Sequence, residues 1–183
     1  GERVGGLFGS VNQVNISGSF STANVSGLIA QDVKSGVGGF VGTGNRLYIF
    51  HSYFAGDLII LSKGTDYGRP GGFAGTLTEG SIQNSYWLTI NGYSEKPIDS
   101  LNGELIFVQD SEGANLAELK CPIAANDTTC VTGKTLFTQW QFRQDDSGFP
   151  LWYQGSSSEL PALNIGGKLF RDNDRNSVPD AID

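Results

Sequence analysis

Val37-Gly38-Gly39-Phe40-Val41-Gly42 repeats, 33 residues on, the pattern of Val4-Gly5-Gly6-Leu7-Phe8-Gly9, and Pro70-Gly71-Gly72-Phe73-Ala74-Gly75 repeats it again at the same interval. Eleven residues past the first glycine of each pair stands an isoleucine: Ile16, Ile49 and Ile82. Three further on comes a serine followed by an aromatic, in Ser19-Phe20, Ser52-Tyr53 and Ser85-Tyr86. Three registers agree without one inserted residue. A fixed period of this length marks a solenoid, in which each repeat buries its apolar face only against its neighbours.

Spacing alone does not choose the kind of solenoid, since ankyrin and tetratricopeptide repeats have similar periods. Composition does. The repeats are crowded with Gly, Ser, Asn, Val, Ile and aromatics and hold no long run of helix formers. Apolar residues come in short runs such as Val14-Asn15-Ile16 and Leu58-Ile59-Ile60-Leu61, the periodicity of strands. The expected fold is all-β: a right-handed parallel β-helix or β-solenoid of about three coils over 1–93. Leu7, Phe40 and Phe73 form one stacked column, Ile16, Ile49 and Ile82 a second, and Phe20, Tyr53 and Tyr86 a third. The paired glycines are expected to supply positive φ at corners and close approach of successive backbones. The serine column is expected to satisfy turn hydrogen bonds rather than act as nucleophiles.

The repeat resembles the GLUG motif, which recurs in large secreted and surface-anchored bacterial proteins, including filamentous adhesins and some IgA-specific proteases. The residues carrying the resemblance are Val4-Gly5-Gly6-Leu7, Val37-Gly38-Gly39-Phe40 and Gly71-Gly72-Phe73, with the trailing runs that end at Phe20, Tyr53 and Tyr86. The resemblance implies a structural role, since catalysis in such proteins belongs to other domains.

The 183 residues carry a net charge of −7, all of it beyond residue 93. A nucleic-acid groove needs the opposite sign. Nothing approaches a transmembrane span or a signal peptide. The chain has no Met and opens on a repeat, so an array continuing upstream is expected, with other domains of one long chain as partners. Cys121 and Cys130, with eight residues between them and no histidine nearby, suit a disulfide hairpin better than a metal site, two buried free thiols being the alternative. A disulfide implies an oxidising compartment, secreted or at the cell surface.

Beyond Trp87 the repeat stops matching. Tyr93-Ser94-Glu95-Lys96-Pro97 reads as a turn out of the array, and 94–170 as an aromatic-rich C-terminal cap. Asn115-Leu116-Ala117-Glu118 reads as a capping box opening a short helix. Trp140-x-Phe142, Phe149-Pro150-Leu151-Trp152-Tyr153 and Leu160-Pro161-Ala162-Leu163 resemble the run on which GLUG-bearing chains often finish. Trp140, Trp152 and Tyr153 either plug the open end of the solenoid or offer stacking faces to a glycan.

The last segment, 171–183, reads as an acidic linker shaped like a calcium loop. Asp172, Asp174, Asn176, Asp180 and Asp183 occupy positions 1, 3, 5, 9 and 12 of a twelve-residue loop, and Val178 offers a carbonyl at position 7. The spacing resembles a thrombospondin type 3 repeat. Ser177 stands where glycine normally makes the turn, and Asp183 is shorter than the usual Glu. A solvated acidic linker is the alternative. His51, the only histidine, shares by strand alternation a face with Ile49 and Tyr53 and reads as structural rather than as a general base. Asp145-Asp146 reads as a solvated turn more readily than as half of a glycosidase pair. Asn15-x-Ser17, Asn24-x-Ser26 and Asn126-x-Thr128 match the glycosylation pattern. The function expected is a non-catalytic structural or adhesive segment of a secreted or surface protein, stiffened by calcium, with a glycan-binding or glycan-cleaving β-helix as the alternative.

Overall fold

The computed structural model describes residues 2–28, 36–61, 70–89, 94–101, 103, 105–121, 136–142, 148, 150–156 and 158–182. The first repeat supplies β1 (Arg3–Gly5), β2 (Phe8–Ser17), β3 (Phe20–Ser21) and β4 (Val25–Gly27). The second supplies β5 (Gly36–Gly38), β6 (Val41–Phe50), β7 (Tyr53–Phe54) and β8 (Leu58–Ile60), and the third β9 (Ala74–Leu77), β10 (Gly80–Gln83) and β11 (Tyr86–Leu88). Then come β12 (Ile98–Leu101), β13 (Ile106–Gln109), β14 (Glu112–Ala114), the helix α1 (Leu116–Leu119) and a 3-10 turn at Thr138–Phe142. A hairpin-linked set closes the chain: β15 (Trp152–Tyr153), β16 (Ala162–Ile165), β17 (Lys168–Arg171) and β18 (Asp180–Ile182). The fold is all-β.

Every strand pair among the three repeats is parallel and joins residues 33 apart, as in Val4↔Val37, Ile16↔Ile49, Ile49↔Ile82, Phe20↔Tyr53 and Tyr53↔Tyr86. The sequence columns are therefore physical neighbours, one strand spacing apart. β6 bends at Arg46, which sits at φ 53 and separates the half that pairs with β9 from the half that pairs with β10. The sheet curls at that bend and encloses an apolar interior. Phe40, Leu47, Ile49, Phe54, Phe73, Leu77 and Ile82 are fully buried there, with Trp87 and Ile98 beside them.

The glycine pairs serve close approach, and positive φ is found at none of the six. A Cβ on Gly72 would lie 2.2 Å from the Trp87 ring, and one on Gly39 would lie 2.5 Å from the Phe54 ring. The second glycine of these two pairs thus makes room for an interior aromatic of its own repeat.

The stack does not end with the third repeat. β12 pairs with β9, β13 with β10 and β14 with β11, all in parallel, so a fourth layer follows at offsets of 24 and then 26 residues. The segment read as a turn out of the array leads straight into it, with Gly72 N–H donating to the Lys96 carbonyl (2.8 Å) and Phe73 N–H to that of Pro97 (2.9 Å). The Trp87 indole N–H, donating to the Ser94 carbonyl at 2.7 Å, ties that entry to the interior. Loss of the 33-residue period hid the layer, because pairing tolerates a shortened connection where column matching does not. The capping box of α1 forms as expected, Asn115 and Glu118 each accepting the other's backbone N–H (3.0 and 2.9 Å).

Candidate functional site

Between the long strand and the aromatic strand of each layer one residue adopts left-handed backbone: Gly18 (φ 56), His51 (φ 46), Asn84 (φ 46) and Asp110 (φ 48). Gly, Asn, Asp and His are the types that visit this region most easily. The kink interrupts strand alternation, so Ile49 points into the interior while Tyr53 points out onto the flank, and His51, at the kink itself, cannot share a face with both. The serine that follows each kink holds the corner. Ser19, Ser52, Ser85 and Ser111 each donate the hydroxyl to the carbonyl two residues back, at 2.8–3.2 Å. Each hydroxyl oxygen after the first also accepts the backbone N–H of the serine one layer earlier: Ser19 to Ser52, Ser52 to Ser85 and Ser85 to Ser111, at 3.0–3.2 Å. This is the hydrogen-bonding column expected, extended by Ser111.

The kinks also present carbonyls sideways, and the C-terminal aromatics take them. The Trp152 indole N–H donates to the His51 carbonyl (2.9 Å), and that of Trp140 to the Asn84 carbonyl (2.7 Å). Leu151 fills the place above Gly18, where a Cβ would lie 2.3 Å from its methyl carbon. Phe20 stacks on Tyr53 with centroids 5.3 Å apart and planes within 8°, and Trp152 and Trp140 pack against Tyr53 at 5.5 and 6.2 Å. Phe137 meets Tyr86 edge-on at 5.0 Å. The aromatic segment therefore lies along the side of the stack rather than plugging its end. Trp140 is 0 % exposed and Trp152 4 %, so neither offers a face to a sugar, whereas Tyr153 is 53 % exposed. Burial also raises the Tyr53 phenol far above its ordinary range, with nearby Asp172 adding to the rise and Arg171 opposing it. Its hydroxyl donates to the Pro161 carbonyl at 2.9 Å.

The acidic segment joins the same flank instead of hanging from it as a linker. Asp172 is fully buried and accepts from the Thr22 hydroxyl in the first repeat, from Ser177 N–H (2.8 Å) and from Asn176 N–H (3.1 Å). Arg175 donates to the Ala55 carbonyl at 2.5 Å and pairs with Asp57 in the second repeat. Asn173 accepts Leu160 N–H at 3.0 Å, and Arg171 is bound to Glu159 at 2.6 Å. Thr22, Asp57 and Arg175 were not singled out in the sequence. The one signal for Asp57 is its place 33 residues after Asn24, whose side chain accepts its N–H (3.1 Å).

Of the expected calcium ligands, the structure brings together Asp172, Asp174 and Asn176. Asn176 donates to both carboxylates and accepts Val178 N–H at 2.8 Å. Asp180 stands apart from that group in sequence register, exposed in β18 opposite Arg171, and Asp183 lies outside the described residues. Among the described residues no three carboxylate, histidine or cysteine side chains converge. Burial opposes ionisation of Asp172, but the hydrogen bonds from the Thr22 hydroxyl and from the Ser177 and Asn176 N–H groups outweigh it and hold its carboxyl below the usual range. Buried Cys121 is not a free thiol, while its expected partner Cys130 lies outside the described residues, as do Asp145, Asp146, Asn126 and Thr128.

No protein-family model, curated protein or solved structure matches the chain.

Because the folded carboxyl of Asp172 titrates below its unfolded value, its contribution is complete above the ordinary carboxylate pKa and is lost as pH falls through the folded value. Asp172→Asn is expected to lower stability by about 1–3 kcal/mol at pH 7, and the gap to the unsubstituted chain should close as pH falls below the ordinary carboxylate range of about 4. Urea midpoints across that range measure it. A gap independent of pH would mean that the carboxylate does not anchor the loop.

Proposed function

We propose that the chain is a non-catalytic structural and adhesive segment of a secreted or cell-surface bacterial protein, its stacked repeats forming a right-handed parallel β-helix related to the GLUG repeats. The observation that carries this proposal is how the polar side chains are used. The serine column holds corners, the kink carbonyls of His51 and Asn84 receive indoles, and Asp172 and Arg175 bind the C-terminal loop to the repeats. Groups that attract attention as chemistry are committed to joining layer to layer and flank to stack. Such a body is suited to holding a binding surface or a neighbouring domain in place. The bound state of Cys121 agrees with an oxidising compartment.

Calcium belongs to the same proposal. Asp172, Asp174 and Asn176 with the Val178 carbonyl are the oxygen donors that would hold it, and a hard cation there would offset repulsion between the two adjacent carboxylates. Affinity in the ~10⁻⁴–10⁻³ M range of extracellular modules is expected. Calorimetric titration of the chain and of Asp174→Ala, which spares the Asp172 anchor, checks it. Heat from the unsubstituted chain alone supports the site, and equal heats remove calcium from the account.

The functional test is to immobilise the chain on beads and present it to cell surfaces and polysaccharides in millimolar calcium. Retention on a surface without release of new reducing ends is the expected result. Release of reducing ends above that of a heat-denatured control would instead identify a glycan-cleaving protein.

A further inference from the structure

The row of kink carbonyls has one more member than the row of indoles that meets it. Trp152 donates to the His51 carbonyl and Trp140 to that of Asn84, while Trp87, the third of three tryptophans, is bonded to Ser94. Asp110 makes the same left-handed turn in the fourth layer (φ 48), and among the described residues no donor reaches its carbonyl. The aromatic column changes character at the same level. Phe20, Tyr53 and Tyr86 are followed in register by Glu112. A carboxylate thus stands where the flank column would carry its fourth ring.

Tyr86, Asp110 and Glu112 border a cavity of about 420 Å³, which Leu136 and Gln139 of the covering segment also line. Ser111, between the two acids, has its hydroxyl spent on the Gln109 carbonyl (2.9 Å) and on the Ser85 N–H (3.0 Å). Tyr86 is 4 % exposed and its ring meets Phe137 edge-on, yet among the described residues nothing bonds to its hydroxyl. Tyr53, one layer earlier, satisfies the same group at the Pro161 carbonyl. Burial pushes the Tyr86 phenol up to about 12, and Glu112 and Asp110 add to the rise, so both carboxylates act on this hydroxyl.

We propose that this cavity is a binding site for a guanidinium group, presented as an arginine side chain on the surface of a partner protein. The bordering residues supply acceptors in several directions: two carboxylates, the Asp110 carbonyl, the Tyr86 hydroxyl oxygen and the Gln139 side-chain oxygen. A guanidinium brings five N–H donors in one plane on an apolar stem, and Leu136 gives that stem a wall. It repeats, with a charge, the flat N–H donors already bonded at His51 and Asn84. An ammonium is a compact point charge with three donors and spans fewer of these acceptors. A metal ion finds too few ligands, since among the described residues no three carboxylate, histidine or cysteine side chains converge. The net charge of −7, all of it beyond residue 93, draws a basic partner to this part of the chain. The inference goes beyond the structural and adhesive reading, and its failure would leave that reading untouched.

The test titrates the full chain with a blocked glycine–arginine–glycine peptide, read by heat and by the NMR signals of the Tyr86 ring and the Gln139 side-chain amide. Expected is saturable millimolar binding that moves both signals. The citrulline peptide keeps the shape without the charge and should bind about tenfold more weakly, and the lysine peptide about fivefold. Asp110→Asn, which tolerates the same backbone turn, and Tyr86→Phe, which keeps the ring, should each weaken binding about threefold or more. Asp180→Asn removes the same charge from an exposed place on β18 and should leave binding unchanged. The Trp140 and Trp152 indole N–H signals report whether the flank is intact in each variant. Binding that survives both site changes, or that falls equally with Asp180→Asn, reduces the effect to net charge and overturns the proposal. So does a titration without saturation, or equal affinity for the arginine peptide and either of its replacements.

Discussion

A parallel stack of strands has no free hydrogen-bonding direction sideways, and everything outside the repeats depends on how this chain creates one. In each layer one residue between the long strand and the aromatic strand is turned into left-handed backbone, at Gly18, His51, Asn84 and Asp110. At His51 and Asn84 the turned carbonyl leaves the strand ladder and faces the flank, where an indole N–H meets it. An unpaired buried carbonyl costs about 1–3 kcal/mol, so kink and indole stabilise each other. The following serine makes the kink repeatable, because its hydroxyl closes its own corner and receives the layer before.

Two apolar bodies result, and one strand system separates them. Ile16, Ile49 and Ile82 with Phe40, Phe73 and Trp87 fill the interior of the curl. Phe20, Tyr53 and Tyr86 face outward, where Trp140, Trp152, Phe137 and Leu160 cover them. The kinks allow both, since without them residues 49 and 53 would share one face. The acidic loop then locks the far end of the covering segment through Asp172 to Thr22 and Arg175 to Ala55. The C-terminal sheet is thereby tied to the first two repeats, distant in sequence and adjacent in space.

How much of this was legible in the sequence follows from what repeats and what does not. The columns of Leu7, Ile16, Ser19 and Phe20 could be read because each recurs at one spacing, and parallel register requires that spacing. The fourth layer could not, because its shorter connections remove Gly-Gly and shift the period; Ser111 is the residue that still marks it. Aromatic residues at 137–152 announced a large buried surface, but a sequence does not say whether it closes an end or covers a side. The deciding fact is the left-handed residue before each serine, which Gly18 and Asn84 hint at and His51 conceals. Asp172 was legible as an oxygen ligand and not as an anchor, because its partner Thr22 lies 150 residues away and outside any motif.

The central claim is that repeats and flank are one cooperative body joined through the kink carbonyls. Hydrogen exchange measured together at the Ser52 and Ser85 backbone amides and at the Trp140 and Trp152 indole N–H groups tests it most directly. The account predicts that all four open with the same free energy, within about 1 kcal/mol, and respond equally to denaturant. Indole N–H groups that exchange within minutes while the serine amides stay protected would contradict it, and would show a self-sufficient stack carrying a loosely attached tail.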